Sequence, residues 1–268
     1  VGKAIGCLFF LMVSLFPIYW LVAMAIRPTD EMRGHIALIP QSLTGIHFAE
    51  LFSAKNFGTA IINSLQTTFG SLFVSLVVGI CAAYIIARRR FRFGLKKPMT
   101  YWVLLVRVLP PVAFTIPLYI MFKKIGLYNS PWAIVIIFTV IQSAFGTYLL
   151  SSVYGTFPKS ILEAATIDGA SRWTIFRKIV FPISKPTLSV MLVFFFIWTW
   201  NEYMIPMAFL IDNSTQTIPI AVSSLTGDRL MDVTTTAAAS LISIVPTLIF
   251  YLIFQRTLSR GITAGAVK

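Results

Sequence analysis

Four side chains in this 268-residue sequence have surroundings that suit them to more than packing or solvation. Arg107 and Glu202 each stand alone in a run of apolar residues, and Glu163 and Asp168 lie in a polar interruption between such runs. An ionisable group at depth among apolar residues usually faces a bundle interior or a water-filled path, because lipid offers it no partner. The chemistry implied is handling of a polar solute, not bond making. Residues 157–186, FPKSILEAATIDGASRWTIFRKIVFPISKP, read as two short helices in water. Ser160 and Glu163 have capping-box spacing, which predicts a helix beginning near Ile161. Ala164 and Ala165 favour its continuation, and Asp168-Gly169 stops it, since Gly takes the left-handed conformation that closes a helix. Ser171 caps a second helix with Trp173, Phe176 and Val180 on one face and Arg172, Arg177 and Lys178 elsewhere; Pro182 is expected to end it and Pro186 to open the next segment. A two-turn helix is marginal alone, so one bearing Ile161 and Leu162 suits a groove on another protein. A plain connector between two membrane spans fits the same residues.

Other chemistries lack their residues. There is no GxxxxGK[ST] run, the nearest Gly-Lys being Gly2-Lys3, so the chain holds no phosphate-binding loop of an ATPase. No HExxH occurs, and no nucleophile has a His nearby, which leaves a polytopic membrane enzyme without its catalytic cluster. Cys7 and Cys81 sit in apolar runs, and His35 and His47 are single histidines in a loop. Neither a disulfide framework nor a metal site follows, and no cofactor is expected in this chain.

The elements that must position these residues are membrane spans. Hydrophobic residues make up 57% of the chain, charged residues 12%, and the mean hydropathy of +0.83 lies outside the range of soluble domains. An all-α integral membrane protein of one domain, 1–268, is expected. About 20 apolar residues cross a bilayer as a helix, and the gaps between charges place six such spans at about 4–26, 60–87, 98–122, 131–153, 187–210 and 235–255, with a polar loop at 158–185 and a tail at 256–268. The chain starts at Val1, and its first apolar run is too long for a cleaved signal peptide; it reads as the first span, a few residues preceding it.

A net charge of +13 would suggest nucleic acid in a soluble protein. Here it has a topological origin. Lys and Arg crowd the N-terminus, the 88–97 connection, the 158–185 loop and the tail, fifteen in all against six on the opposite side. Both termini and the 158–185 loop are therefore expected in the cytoplasm, and nucleic-acid binding is excluded. On the other side, Pro28–Lys55 carries amphipathic patches including Phe48, Leu51 and Phe52 that suit the membrane surface. Asp212–Asp232, rich in Ser and Thr with a Gly227-Asp228 turn, is longer than its connection needs, as contact loops often are. No internal repeat relates the two halves, which argues against an inverted-repeat secondary carrier.

Arg107 does not prevent insertion of span three. A central Arg costs about 2.5–3.5 kcal/mol, while the twelve Leu, Ile, Val and Phe residues of that span contribute roughly 0.3–0.6 kcal/mol each. Two placements stay open. In one, Arg107 and Glu202 line a route through the bundle as an ion pair, with Asn201 offering hydrogen bonds to hydroxyls; in the other, Arg107 snorkels and Glu202 sits near the outer interface.

The order Glu163-Ala164-Ala165, Asp168-Gly169-Ala170, Phe176, Ile179, Pro182 resembles the EAA loop of ABC importer permeases. Arg27-Pro28, Asn63-Ser64-Leu65, Leu109-Pro110-Pro111, Trp200-Asn201-Glu202 and the tail Gly261–Lys268 resemble the carbohydrate-uptake branch, the class of the maltose-type second permease. The resemblance covers nearly the whole chain and implies the type I importer architecture. It implies that residues 160–169 form a coupling helix seated in a separate ATPase subunit with Glu163 at the contact, and that the tail, including Thr263, Gly265 and Lys268, reaches into the ATPase dimer. It also implies that the outer loop around Thr226, Gly227 and Asp228 meets an extracytoplasmic solute-binding protein. ATP and Mg would be bound by the partner ATPase, a second homologous permease would complete the path, and the location would be the bacterial inner membrane amid its lipid. A stand-alone secondary carrier is the alternative.

Overall fold

Residues 2–33, 37–87, 111–155, 158–225 and 230–266, with the single positions 101, 105 and 108, are described in a computed structural model of the protein. Apolar runs close into helices because, away from water, each backbone N–H and C=O must be satisfied within its own segment. Helix α1 (Gly2–Ala25) is followed by a 3-10 turn, Thr29–Arg33, then α2 (Ile46–Ser53) and α3 (Phe57–Ala87). After a 3-10 turn at Pro111–Phe114 come α4 (Thr115–Lys124), α5 (Pro131–Gly155), α6 (Lys159–Ile167) and the helical run α7 (Arg172–Trp200). Short helices α8 (Met204–Phe209) and α9 (Ile218–Ser224) precede the long α10 (Leu230–Ala266). Among the described residues, five stretches are long and apolar enough to cross a membrane: Lys3–Ala25, Phe57–Ile86, Pro131–Gly155, Arg172–Trp200 and Val233–Gln255. The expected third span lies largely outside the described residues, α4 being its helical end.

The expected break at Pro182 is corrected. The chain stays helical for 29 residues from Arg172 to Trp200, with Phe176–Val180 forming a π turn in which the Phe181 N–H reaches back to the Phe176 carbonyl. Such a turn admits one extra residue, and it leaves Pro182 at the start of the next α segment, where a missing N–H costs least. Pro186 lies inside that segment. Beside it Ser184 Oγ donates to the Val180 carbonyl at 2.7 Å and pairs with the Tyr154 hydroxyl at 2.8 Å. The helical run at the expected fifth span thus begins well before 187 and ends at Trp200.

The structure divides into two units, Val1–Ser64 with Leu210–Leu248, and Leu65–Phe209 with Ile249–Lys268. In the second unit, Gln142 of α5 is fully buried. Its Oε1 accepts from Ser75 Oγ of α3 at 3.0 Å, and its Nε2 donates to Thr199 Oγ1 of α7 at 2.5 Å. A buried amide is tolerable only when so satisfied, and here it ties three apolar helices together. Two glycines let the same helices close up. A Cβ on Gly79 would lie 3.5 Å from the Thr147 N, and one on Gly146 only 2.5 Å from Met191 Cε. Phe196 stacks on Phe250 at 4.1 Å and on Trp200 at 5.5 Å.

In the first unit a polar knot closes the end of α1. Arg27 is buried, its guanidinium 5.8 Å over the Trp20 ring, donating to the Ala37 carbonyl and lying 3.8 Å from Glu31. Glu31 accepts from the Gln41 N–H and from the Ser42 N–H and hydroxyl, at 3.1, 2.9 and 2.9 Å. Burial pushes the Glu31 carboxyl up, but these hydrogen bonds and the Arg27 charge outweigh it and hold the group below the usual carboxylate range. The Thr44 N–H donates to the Ile26 carbonyl at 2.8 Å, and His47 Nε2 lies 2.9 Å from the Arg27 carbonyl. Leu51, expected on an exposed amphipathic face, is instead buried, while Phe52 is exposed. His47 and Leu51 share the inward side of α2 at helical spacing.

Candidate functional site

The polar stretch around Glu163 forms a small, closed helix. α6 begins at Lys159, with extended Pro158 as its N-cap and no side-chain cap bond, so the Ser160–Glu163 capping box is corrected. Pro158 has φ −61° and ψ 122°, and its carbonyl already receives the Ile161 N–H at 3.3 Å. The proline starts the helix two residues early and leaves Ser160 inside it.

The C-terminus closes as the sequence predicts. Gly169 has φ +78°, its N–H donates to the Thr166 carbonyl at 3.1 Å, and the Ala170 N–H donates to the Ala165 carbonyl at 3.0 Å. That pair of bonds is a Schellman motif, with Asp168 as the C-cap and glycine at the left-handed position. Two residues on, Ser171 Oγ accepts from the Thr174 N–H at 3.2 Å and caps α7. Residues 168–171 are therefore a bonded corner between α6 and α7.

Glu163, Ala164, Asp168 and Gly169 are exposed; Ala165 and Ala170 are half-buried. Leu162 and Ala165 face inward. Ile161 is 45% exposed and Ile167 86%, a cost in water that burial against another surface would convert into about 1.5–3 kcal/mol per side chain. Ile167 was not singled out in the sequence, since at six residues from Ile161 it falls on a different side of the helix. Trp173, expected on an apolar face, is 67% exposed and stacks on Phe176 at 5.7 Å, whose other side meets Tyr84 at 5.3 Å.

Asn201 and Glu202 shape a helix junction. Exposed Asn201 ends α7, its Nδ2 donating back to the Ile197 carbonyl at 2.7 Å. Half-buried Glu202 accepts from the Met204 N–H at 3.1 Å and the Ile205 N–H at 3.4 Å, satisfying the start of α8. Arg107 lies outside the described residues, as do Thr226, Gly227, Asp228 and Lys268. Thr263 and Gly265 fall on the last turns of α10.

The described part of the 212–232 loop is anchored by residues whose role was not legible in the sequence. Asn63 Nδ2 donates to the Ser214 and Gln216 carbonyls at 2.9 and 3.0 Å, and Ser64 Oγ accepts from the Ile218 N–H at 2.8 Å. Beside them is a recess of about 280 Å³, lined in part by Lys55, Asn56, Asn213 and Gln216. Among the described residues no group of His, Cys, Asp and Glu could hold a metal.

Comparison with known proteins agrees across most of the chain. It is 28% identical to the trehalose transport system permease protein SugB of Mycobacterium tuberculosis over 257 residues, 95% of this chain and 93% of that one. It is 28% identical to the melibiose/raffinose/stachyose import permease MelC of Bacillus subtilis, covering 94% and 91%. Its fold matches a crystal structure of a bacterial ABC transporter that imports the acidic polysaccharide alginate, with a TM-score of 0.81 at 21% identity, covering 95% of this chain and 94% of that one. A chain of the MetNI methionine ABC transporter matches with a TM-score of 0.60 at 15% identity, covering 75% and 94%. The family model for the inner membrane component of binding-protein-dependent transport systems matches residues 75–263, and the chain belongs to that family.

Proposed function

We propose that the chain is one of two permease subunits of an ATP-driven importer for a carbohydrate, whether oligosaccharide, disaccharide, uronate or polyol, and that α6 is its coupling helix. The observation that carries this reading is the capped corner at 168–171, which joins an exposed helix with an uncovered Ile167 directly to a 29-residue helical run. The sugar class is supported by relatives named for trehalose and for melibiose, raffinose and stachyose.

In this reading six spans cross the bacterial inner membrane with both termini and α6 in the cytoplasm, span three being the stretch around Arg107. A separate ATPase dimer binds ATP and Mg and grips α6 near Glu163, while the tail through Thr263, Gly265 and Lys268 extends toward it. Closure of that dimer moves α6, and the bonded corner passes the motion to α7 as a rigid element instead of dissipating it in a flexible loop. The loop ending in Thr226, Gly227 and Asp228 meets the solute-binding protein, held in place by Asn63 and Ser64. Arg107, Asn201 and Glu202 lie along the solute path.

The test is reconstitution with sister permease, ATPase and binding protein, reading ligand-stimulated ATP hydrolysis and uptake. Glu163→Ala and Gly169→Pro should each lower both at least tenfold while membrane insertion persists. Wild-type rates in both variants would reduce α6 to a connector, and uptake by the purified chain alone would make it a secondary carrier.

A further inference from the structure

Residues 37–46, ALIPQSLTGI, contain no charge and run as a strap over the end of α1. Five ties hold the strap and the helix that follows it, the first being the Arg27 guanidinium on the Ala37 carbonyl. The Tyr19 hydroxyl donates to the Leu38 carbonyl at 2.9 Å, Glu31 holds Gln41 and Ser42, the Thr44 N–H meets the Ile26 carbonyl, and His47 pairs with the Arg27 carbonyl. Every tie uses the backbone or a polar group of the strap. Its apolar side chains are left outward: Leu38 is 61% exposed, Ile39 73%, Leu43 73% and Ile46 63%.

The Tyr19 tie fixes the depth of this patch. Tyr19 lies six residues before Ala25, about 9 Å along the helix axis at 1.5 Å per residue. Helical side chains tilt toward the N-terminus, so its hydroxyl is no nearer the end of α1 than that. The Leu38 carbonyl therefore lies alongside the last turns of an apolar span, where the hydrocarbon meets the headgroups. A Tyr at this level is where an interfacial aromatic belongs. The outward side of α1 at this height, including Leu15, Phe16 and Ile18, is exposed as well, so the strap extends a surface that is already apolar.

We infer that the 37–46 strap is an interfacial anchor. Leu38, Ile39, Leu43 and Ile46 sit in the boundary between lipid headgroups and acyl chains, and the knot at Arg27 and Glu31 holds the strap at that depth. The occupant is lipid: the strap is uncharged, and the Glu31 carboxylate beside it is turned into the strap's own backbone. The inference does not depend on which solute is carried or on which side of the membrane the strap lies.

Nitroxides at Ile39→Cys, Leu43→Cys and Gln41→Cys, in a chain with Cys7→Ser and Cys81→Ser and within the complete transporter in phospholipid nanodiscs, provide the test. Labels at 39 and 43 should collide frequently with oxygen and rarely with a soluble nickel chelate, at a depth of about 5–10 Å below the phosphates, while the label at 41 meets the chelate freely. Chelate access at 39 and 43 equal to that at 41 would place the strap in water and overturn the inference. Low collision with both reagents would place a protein over the patch, and shielding that arises only when the binding protein is added would identify that protein; either result also overturns it. Retained ATP hydrolysis in each labelled transporter shows that the chain is folded.

Discussion

Gly169 and Gly146 are glycines for opposite reasons. At 169 the backbone needs it: φ is +78° with open space around the missing Cβ, so an alanine there costs about 1–2 kcal/mol of local strain, and proline, locked near −65°, cannot adopt the conformation at all. At 146 the packing needs it. A methyl there meets only the flexible end of Met191, while Phe195 Cζ stands at 3.4 Å. Gly146→Ala should leave the thermal unfolding midpoint of the purified transporter almost unchanged, the gain in helix propensity offsetting the repacking, whereas Gly146→Leu should cost about 1–3 kcal/mol and lower it. Equal midpoints for wild type and the leucine variant would show that α5 and α7 are not in close contact there. These cases also divide what was legible. Asp168-Gly169 was readable because a helix stop is decided within six residues; the need at 146 is set by Met191 and Phe195 on another helix and leaves no local mark. Ser160–Glu163 has the spacing of a cap, yet rigid Pro158 starts the helix first.

Among elements, the 37–46 strap is pinned by a carboxylate. The Glu31 carboxyl is depressed by the hydrogen bonds from Gln41 and Ser42 and by Arg27, so the sign is that of a stabilising carboxylate. Its contribution is fully present above the ordinary carboxylate pKa of about 4.3 and is lost as pH falls from there through the lower folded value. Amide exchange at Gln41 and Ser42, corrected for its intrinsic pH dependence, should accelerate in acid below that point, and Glu31→Gln should abolish the pH dependence. An acid response unchanged by Glu31→Gln would assign the loosening to another group. Five long apolar helices overlap expected spans, since gaps between charges mark apolar runs directly. The α6–α7 region is less legible, because the sequence ends a helix at Pro182 and opens the next at Pro186. Their effect was absorbed by a π turn, which no local pattern announces.

For the whole molecule, the pairs that define each unit are far apart in the chain. Asn63 meets Ser214 across 151 residues and Gln142 meets Thr199 across 57, so a polar residue in an apolar run could be flagged by sequence but not given its partner. Asn201 and Glu202 illustrate this. They stand out in sequence as path residues, and in the structure Asn201 Nδ2 helps to end α7 while Glu202 Oε1 helps to start α8. The path assignment is best probed at Asn201, because cysteine at Glu202 would remove the α8 cap. Arg107→Cys and Asn201→Cys, in the cysteine-free assembled transporter, should react with a membrane-impermeant thiol reagent in one nucleotide state and be shielded in another. Absence of labelling in every state would remove both positions from the route.

The π turn at 176–180 also sets a phase. One surplus residue there turns everything upstream by about 100° and advances it by about 1.5 Å relative to an uninterrupted α-helix. The azimuth of Glu163 and Ile167 about the α7 axis is thereby written into that helix itself. Removing a single residue, Arg177, should restore regular helical winding with little loss of stability, yet swing α6 about the α7 axis and, under the proposed coupling role, silence ligand-stimulated ATP hydrolysis. Returning a residue within the same turn should recover it, even with a different side chain, since angular register and not residue identity is what that turn supplies.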